Sequence, residues 1–303
     1  VTLTVLVPFA PAQPLLEQVP GVRTVLYTPG AAPPPEADEA EALVAPVWWD
    51  ESVRELIPRL PRLRLVVTFT SGVDAWIDVL PEGVGIANAR GAHGGATAEW
   101  AMGALLAVYR EFPRFVQAQA EGRWDHVQAD TLQDKRVLVV GAGDIAQRLR
   151  RQLVAFDAEP TLVGRTARDE VRGTDELPAL VAEHDAVILA VPLTEETNRL
   201  FDAELLDRMP DGAVLVNAAR GPVVDTEALL AELRRGRLRA ALDVTDPEPL
   251  PPGHPLWSAP GVLVTPHVGG DVQGQDIRAL KVIAEQLAAF AAGKRPPNLV
   301  TRS

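Results

Sequence analysis

Five consecutive apolar residues, Val187-Ile188-Leu189-Ala190-Val191, leave no face of an extended segment for water. A strand that is apolar at every position belongs in a parallel sheet, because parallel strands are joined by crossover helices and those helices cover both faces. The rest of the chain from residue 136 onward alternates to match. Apolar periodicity predicts strand 136–140, helix 145–156, strand 161–163, helix 176–183 and strand 186–191. It continues with helix 203–209, strand 213–217, helix 226–235 and strands 239–244 and 262–265. This is the pattern of a doubly wound α/β domain.

The first ninety or so residues carry shorter apolar runs at 3–7, 22–27, 43–47, 63–69 and 84–87, separated by Pro and Gly, with residues 31–35 as a loop. They predict a second, smaller α/β unit. Between the two lies one long helix from Thr97 to about Gly122, with Trp100, Leu105, Val108, Phe112 and Phe115 spaced mostly at three and four residues. An amphipathic helix over 275–292, built on Ile277, Leu280, Ile283, Leu287 and Phe290, ends at Gly293 and Pro296-Pro297. It is expected to return to the N-terminal unit. The expected organisation is therefore two Rossmann-like doubly wound parallel-sheet domains. The smaller (flavodoxin-like) domain is discontinuous, 1–93 plus 268–303, and the larger domain is 94–267. No internal repeat is present.

Composition narrows the function classes. The 303 residues include 29 Lys plus Arg against 41 Asp plus Glu, a formal charge of −12, the wrong sign for a binder of polyphosphate backbones. No nucleic-acid partner is expected. Without cysteine there are no disulfides, thiolate nucleophiles or Cys-ligated metals, and no metal ligand set is assigned. No apolar run near the middle exceeds residues 101–109, half of the roughly 18 needed for a membrane span. The opening residues 1–7 alternate Leu3, Val5 and Val7 with no basic n-region, so they predict a strand rather than a signal peptide. No membrane partner is expected, and the expected location is the cytoplasm.

Directly after strand 136–140 stands Gly141-Ala142-Gly143-Asp144-Ile145-Ala146, a G-x-G-x-x-A pattern at a helix start. The first glycine permits the tight turn, the second lets backbone approach a pyrophosphate, and Ala146 allows close helix–strand packing, with the helix N-terminus supplying positive potential. A glycine-rich turn that binds nothing is the alternative. An acid at the end of the next strand would accept from a free ribose 2′-hydroxyl. Here the segment reads Gly164-Arg165-Thr166-Ala167-Arg168. Arginine matches a phosphate with a bidentate fork, which predicts NADP(H) in preference to NAD(H). Alternatively Arg165 and Arg168 are solvated surface charges and NAD(H) is accepted as well.

Three further runs occur in order: residues 215–225 (Leu-Val-Asn-Ala-Ala-Arg-Gly-Pro-Val-Val-Asp), 241–250 (Ala-Leu-Asp-Val-Thr-Asp-Pro-Glu-Pro-Leu) and 265–270 (Thr-Pro-His-Val-Gly-Gly). With Ser71-Gly72-Val73-Asp74 near the start, they resemble the D-isomer-specific 2-hydroxyacid dehydrogenases over nearly the whole chain. The Gly164-Arg165 pair is most similar to the NADPH-using glyoxylate/hydroxypyruvate reductase branch. The resemblance implies His267 as proton donor, Glu248 as its carboxylate partner and Arg220 as the group that binds the substrate's carboxylate and keto oxygen. Imidazole, with its proton exchange nearest neutral pH, suits that first role, and a carboxylate beside it stabilises imidazolium. The resemblance also implies a carboxylate site in the backbone amides of the turn at Ser71 and Gly72. Implied cofactor contacts are Thr97, Val191, Pro192, Thr197, Ala218, Ala219, Asp243, His267 and Gly269, although packing explains Val191 almost as well.

The expected partner is a small 2-keto or 2-hydroxy acid. Alternatives are NAD-linked oxidation of D-lactate or D-3-phosphoglycerate, and a nucleotide-sensing, corepressor-like binding protein that retains the triad. Formate oxidation is disfavoured, because Glu248 stands where that branch has Gln. His93, where the family more often has Asn, is left without a role. His126, His184 and His254 are expected to be surface or satisfied polar residues. Trp48, Trp49 and Trp124 are expected in the core, with a cleft wall or partner interface as the alternative. The Trp100 helix, apolar on more than one side, is expected at a homodimer contact, as the family generally uses it.

Overall fold

A computed structural model of the chain describes residues 2–47 and 50–300. Trp48 and Trp49 lie outside the described residues. The chain divides into two compact units, Val1–His93 with Gln273–Ser303, and Gly94–Val272.

The first unit holds strands β1 (Leu3–Val7), β2 (Val22–Leu26), β3 (Ala42–Val44), β4 (Leu65–Val67) and β5 (Gly85–Ala87), all parallel, in the order β2-β1-β3-β4-β5. Alternate residues of each strand point to opposite faces. Leu3, Val5 and Val7 pack on Ala279, Leu280, Ile283 and Leu287 of the Gln275–Ala291 helix. Leu6, Leu43, Val66 and Ile86 pack on Val53, Leu56, Ile57 and Trp76. The C-terminal helix thus completes the core of the N-terminal strands. Beyond it, Leu299 bridges Ala87 in antiparallel fashion and extends the β5 edge.

The second unit holds β6 (Arg136–Val140), β7 (Glu159–Gly164), β8 (Val171–Gly173), β9 (Ala186–Leu189), β10 (Val214–Asn217), β11 (Arg239–Leu242) and β12 (Val262–Val264). They form one parallel sheet in the order β12-β11-β10-β9-β6-β7-β8. The order reverses at β6, which places the loop after β6 at the topological switch point. One face of this sheet buries Leu138, Val140, Val187 and Leu189 with Leu205, Leu229, Leu230 and Leu233. The other buries Val137, Val139 and Ile188 with Ala98, Ala101 and Leu105 of the Gly94–Tyr109 helix and Leu149 and Leu153 of the Asp144–Ala155 helix. Two covered faces account for strands that are apolar throughout.

Two expectations are corrected, and one short strand is new. The helix expected from Thr97 to Gly122 is two helices, Gly94–Tyr109 and Phe112–Ala120. Pro113 cannot sit inside a helix without losing a hydrogen bond, but it is tolerated in a first turn, so the chain restarts there after Glu111 takes a left-handed φ of 55°. The short strand β8 lies in a stretch without apolar periodicity and is not anticipated. Trp124 is not core: it is 97% exposed.

His184 is buried, with Nδ1 2.6 Å from the Leu180 carbonyl and Nε2 2.9 Å from the Thr161 hydroxyl. Both contacts are met by a neutral ring whose Nδ1–H donates to Leu180 and whose Nε2 accepts from Thr161. Burial holds the His184 pKa below its ordinary value of 6.5, with the Arg136 charge adding to the effect against a raising contribution from Leu180. The unfolded chain therefore takes up a proton that the folded chain resists, and the His184 contribution to stability, present above 6.5, is lost as pH falls through the lowered value. Urea midpoints should fall between about pH 7 and about pH 5, and fall less in His184→Asn.

Candidate active site

In a parallel sheet every strand ends at the same edge, and in the second unit that edge gathers the loops after β6, β7, β9, β10 and β11. The loop after β6 is shaped by sterics. Gly141 has a φ of 137°, and a Cβ there would meet the Ala190 carbonyl oxygen at 2.4 Å. No heavy atom lies within 4 Å of a Cβ built on Gly143, so open space borders the start of the Asp144–Ala155 helix. Ala146 is fully buried, and Ile145 is half-buried. The Asp144 carboxylate accepts from Arg148 Nε at 2.9 and 3.0 Å and lies against Gly94, where a Cβ would come within 2.0 Å of Oδ2. Thr97 is half-buried in the first turn of the same Gly94–Tyr109 helix.

At the end of β7, a Cβ on Gly164 would stand 3.0 Å from Val171 Cγ1 and 3.1 Å from Ala142 Cβ. Glycine is thus favoured at this position by packing on the β6 turn and on β8. Arg165, Thr166 and Arg168 are exposed on the turn that leads to β8, which is closed by Arg168 N–H to Val171 O at 2.9 Å and the reverse bond at 2.7 Å. After β9, Val191 packs against the core and Pro192 is exposed. The Thr197 hydroxyl donates to the Pro192 carbonyl at 2.7 Å and accepts from Thr194 N–H at 2.7 Å, so it shapes its own turn.

The turn after β10 is organised by Asn217, a buried residue that the sequence reading does not single out. Its Nδ2 donates to the Arg220 carbonyl at 3.0 Å and its Oδ1 accepts from Ala219 N–H at 3.0 Å. Ala218 and Arg220 are half-buried, and an Arg220 guanidinium nitrogen donates to the Ala219 carbonyl at 2.8 Å. Gly221 lies against the next loop so closely that a Cβ would come within 1.9 Å of the Thr245 carbonyl oxygen. That approach brings the Arg220 turn to the loop that carries Glu248.

Asp243 follows β11 and is 5% exposed. Its carboxylate accepts from Thr265 Oγ1 at 2.6 Å, Val268 N–H at 2.9 Å and Gly269 N–H at 2.8 Å, and its carbonyl accepts from His267 N–H at 2.8 Å. His267 is left-handed, with a φ of 55°. Such a conformation costs about 1–2 kcal/mol, and hydrogen bonds to a charged group at about 1.5–3 kcal/mol each are enough to offset it. Gly269 is held to the same contact, since its Cβ would meet Asp243 Oδ2 at 2.7 Å.

Held in this way, His267 Nδ1 lies 2.6 Å from Glu248 Oε1. Nδ1–H donates to the carboxylate, which leaves Nε2 for proton transfer elsewhere. Burial raises the Glu248 pKa, but the His267 hydrogen bond and charge, the Thr245 amide and the Arg220 charge together hold it below its ordinary 4.5. Glu248 is thus an anion at neutral pH.

In the first unit, Ser71 is exposed and Gly72 half-buried in the turn after β4. His93 Nε2 lies 2.6 Å from the Phe69 carbonyl oxygen. His126 is exposed, and His254 Nδ1 accepts from Leu256 N–H at 3.3 Å.

Dinucleotide-dependent oxidoreductases are built in this manner, with a glycine turn at the reversal point of the sheet and proton-transfer groups on loops of the same edge. The D-isomer specific 2-hydroxyacid dehydrogenase, NAD binding domain, matches residues 102–269. A glyoxylate reductase from Aeropyrum pernix is 34% identical over 297 residues, 89% of this chain and 87% of that one. A D-isomer specific 2-hydroxyacid dehydrogenase from Xanthobacter autotrophicus, solved in complex with NADPH and MES, is 31% identical with a TM-score of 0.84, covering 99% of this chain and 98% of the other. An NADPH-dependent glyoxylate/hydroxypyruvate reductase from Sinorhizobium meliloti, solved with NADP and malonate, is 25% identical with a TM-score of 0.81, covering 99% and 97%. The chain belongs to the D-isomer specific 2-hydroxyacid dehydrogenase family, and is an NAD(P)-dependent oxidoreductase.

Proposed function

We propose that the protein reduces small 2-keto acids, of the glyoxylate or hydroxypyruvate type, to 2-hydroxy acids with NADP(H) in preference to NAD(H). The observation that carries this reading is the 2.6 Å His267–Glu248 pair beside the Arg220 turn, at the edge where the glycine turn opens. When bound, the nicotinamide supplies the hydride. His267 Nε2–H gives its proton to the keto oxygen, and the Glu248 anion stabilises the imidazolium that is loaded for this step. Arg220 orients the keto acid through its carboxylate and keto oxygen. The Ser71 and Gly72 amides bind the substrate carboxylate.

The residues around the β6 turn fit a dinucleotide: Gly143 faces open space at a helix start, and the neighbouring backbone would crowd any side chain at Gly141. Gly141, Gly143, Asp144 and Ile145 border the pyrophosphate, and fully buried Ala146 lets the helix pack closely beneath them rather than touching the ligand. Gly164, Arg165, Thr166 and Arg168 take the adenosine ribose and its 2′-phosphate, for which two exposed guanidinium groups on one turn are suited. Thr97, Val191, Pro192, Thr197, Ala218, Ala219, Asp243, His267 and Gly269 line the remainder. The protein is assigned to the cytoplasm and to a homodimer, the latter supported by exposed Phe112, Val116 and Trp124 in and just beyond the Phe112–Ala120 helix.

Purified protein should oxidise NADPH with glyoxylate or hydroxypyruvate faster than NADH. His267→Ala should lower kcat by about 10³-fold with cofactor affinity retained; turnover near wild type removes His267 from the mechanism. Replacing Arg165 and Arg168 together by Ala should weaken NADPH binding about a hundredfold and NADH binding less than about threefold; equal losses mean that neither reads the phosphate. Sedimentation should give the mass of two chains, and Val116→Lys with Trp124→Glu should give that of one; an unshifted mass in the variant places the contact elsewhere.

A further inference from the structure

The turn after β4 is gripped by its carbonyls. The Phe69 carbonyl oxygen is 2.6 Å from His93 Nε2. The Thr70 carbonyl accepts from Thr68 Oγ1 at 2.9 Å and from Ala89 N–H at 3.0 Å. The Ser71 carbonyl accepts from Asn88 Nδ2 at 2.8 Å, and the Gly72 carbonyl from Thr70 Oγ1 at 2.8 Å. A planar peptide turns its N–H opposite to its C=O, so fixing the carbonyls of Thr70, Ser71 and Gly72 aims the N–H groups of Ser71, Gly72 and Val73 the other way. Among the described residues those three N–H groups find no acceptor. Successive amides aimed together are an anion site.

Asn88 is in turn fixed at each polar group. Its Oδ1 accepts from Arg90 N–H at 3.1 Å, its N–H donates to the Asn298 carbonyl at 3.3 Å, and its carbonyl accepts from Asn298 Nδ2 at 3.1 Å. Asn298 Nδ2 also donates to the Arg90 carbonyl at 3.0 Å, and Asn298 N–H donates to Oε1 of buried Gln286 at 2.8 Å. A relay of hydrogen bonds thus runs from the C-terminal helix through Asn298 and Asn88 to Ser71.

Resting on the keto-acid reductase reading, we propose that Asn88 is a positioning residue that aims the Ser71–Val73 amides at the substrate carboxylate, and that Asn298 holds Asn88 in place. Asn88 meets the requirement because its amide both donates and accepts; aspartate would lose the donor to Ser71 and set a negative charge beside the anion.

The test compares wild type, Asn88→Asp, Asn88→Ala and Asn298→Ala in glyoxylate turnover at saturating NADPH and in calorimetric titration with oxamate, a non-reacting carboxylate analogue, in the presence of NADPH. Asn88→Asp should raise the glyoxylate KM and weaken oxamate about tenfold, with kcat within about twofold and NADPH affinity unchanged; Asn298→Ala should shift the same two quantities about threefold. Unchanged KM and oxamate affinity in the Asn88 variants overturn the proposal, as does a parallel loss of KM, kcat and NADPH affinity. Should Asn88→Asp not fold, Asn88→Ala carries the comparison. If wild type reduces no keto acid, the reductase reading fails by itself. Oxamate binding that weakens in the Asn88 variants then still upholds the relay, and binding that is absent or unweakened overturns it.

Discussion

A parallel sheet ends all its strands at one edge, and the second unit of this protein depends on that directional constraint. Its loops have no need to reach across the fold, because β6, β7, β9, β10 and β11 deliver Gly141, Gly164, Val191, Asn217 and Asp243 to the same rim. What remains is local: each loop must be held in one shape by groups that the strands already position. The apolar strands anchor this from both faces, so that a polar residue at a strand end starts from a fixed backbone.

Two buried polar side chains do most of the local holding. Asn217 closes the turn that carries Arg220, and Asp243 closes the turn that carries His267. Both carry out with side chains what a helix cap does at a helix end, supplying acceptors or donors to backbone groups that have left regular structure. The imidazole presented to Glu248 is thus set by Asp243, whose carbonyl accepts from the His267 N–H and whose carboxylate holds the residues on either side, rather than by a contact to the ring.

Much of this was legible in the chain. Continuous apolar strands demand a sheet covered on both faces, the Gly141 turn marks the reversal point, and the His267 and Glu248 runs stand in the loops where the structure places them. What was not legible depends on distance in space. Nothing in the spacing of Asn217 or Thr265 shows that each would find its partner, and Asn88 and Asn298 meet only because the chain returns after 210 residues. The break at Glu111 was signalled by Pro113, yet the apolar spacing ran on through it. Trp124 shows the limit of residue-type averages, since a large aromatic was placed on the surface.

Gly164 carries a consequence for how the end of β7 can change over evolutionary time. An acid at this position is the residue type that would read an unphosphorylated ribose, but its Cβ would press on Ala142 of the glycine turn and Val171 of β8. A lineage acquiring any side chain at 164 cannot do so by that single substitution without moving those neighbours by a few tenths of an ångström. Positions 142, 164 and 171 therefore constrain one another: an accommodating change at 142 or 171 relieves the contact that a side chain arriving at 164 would make.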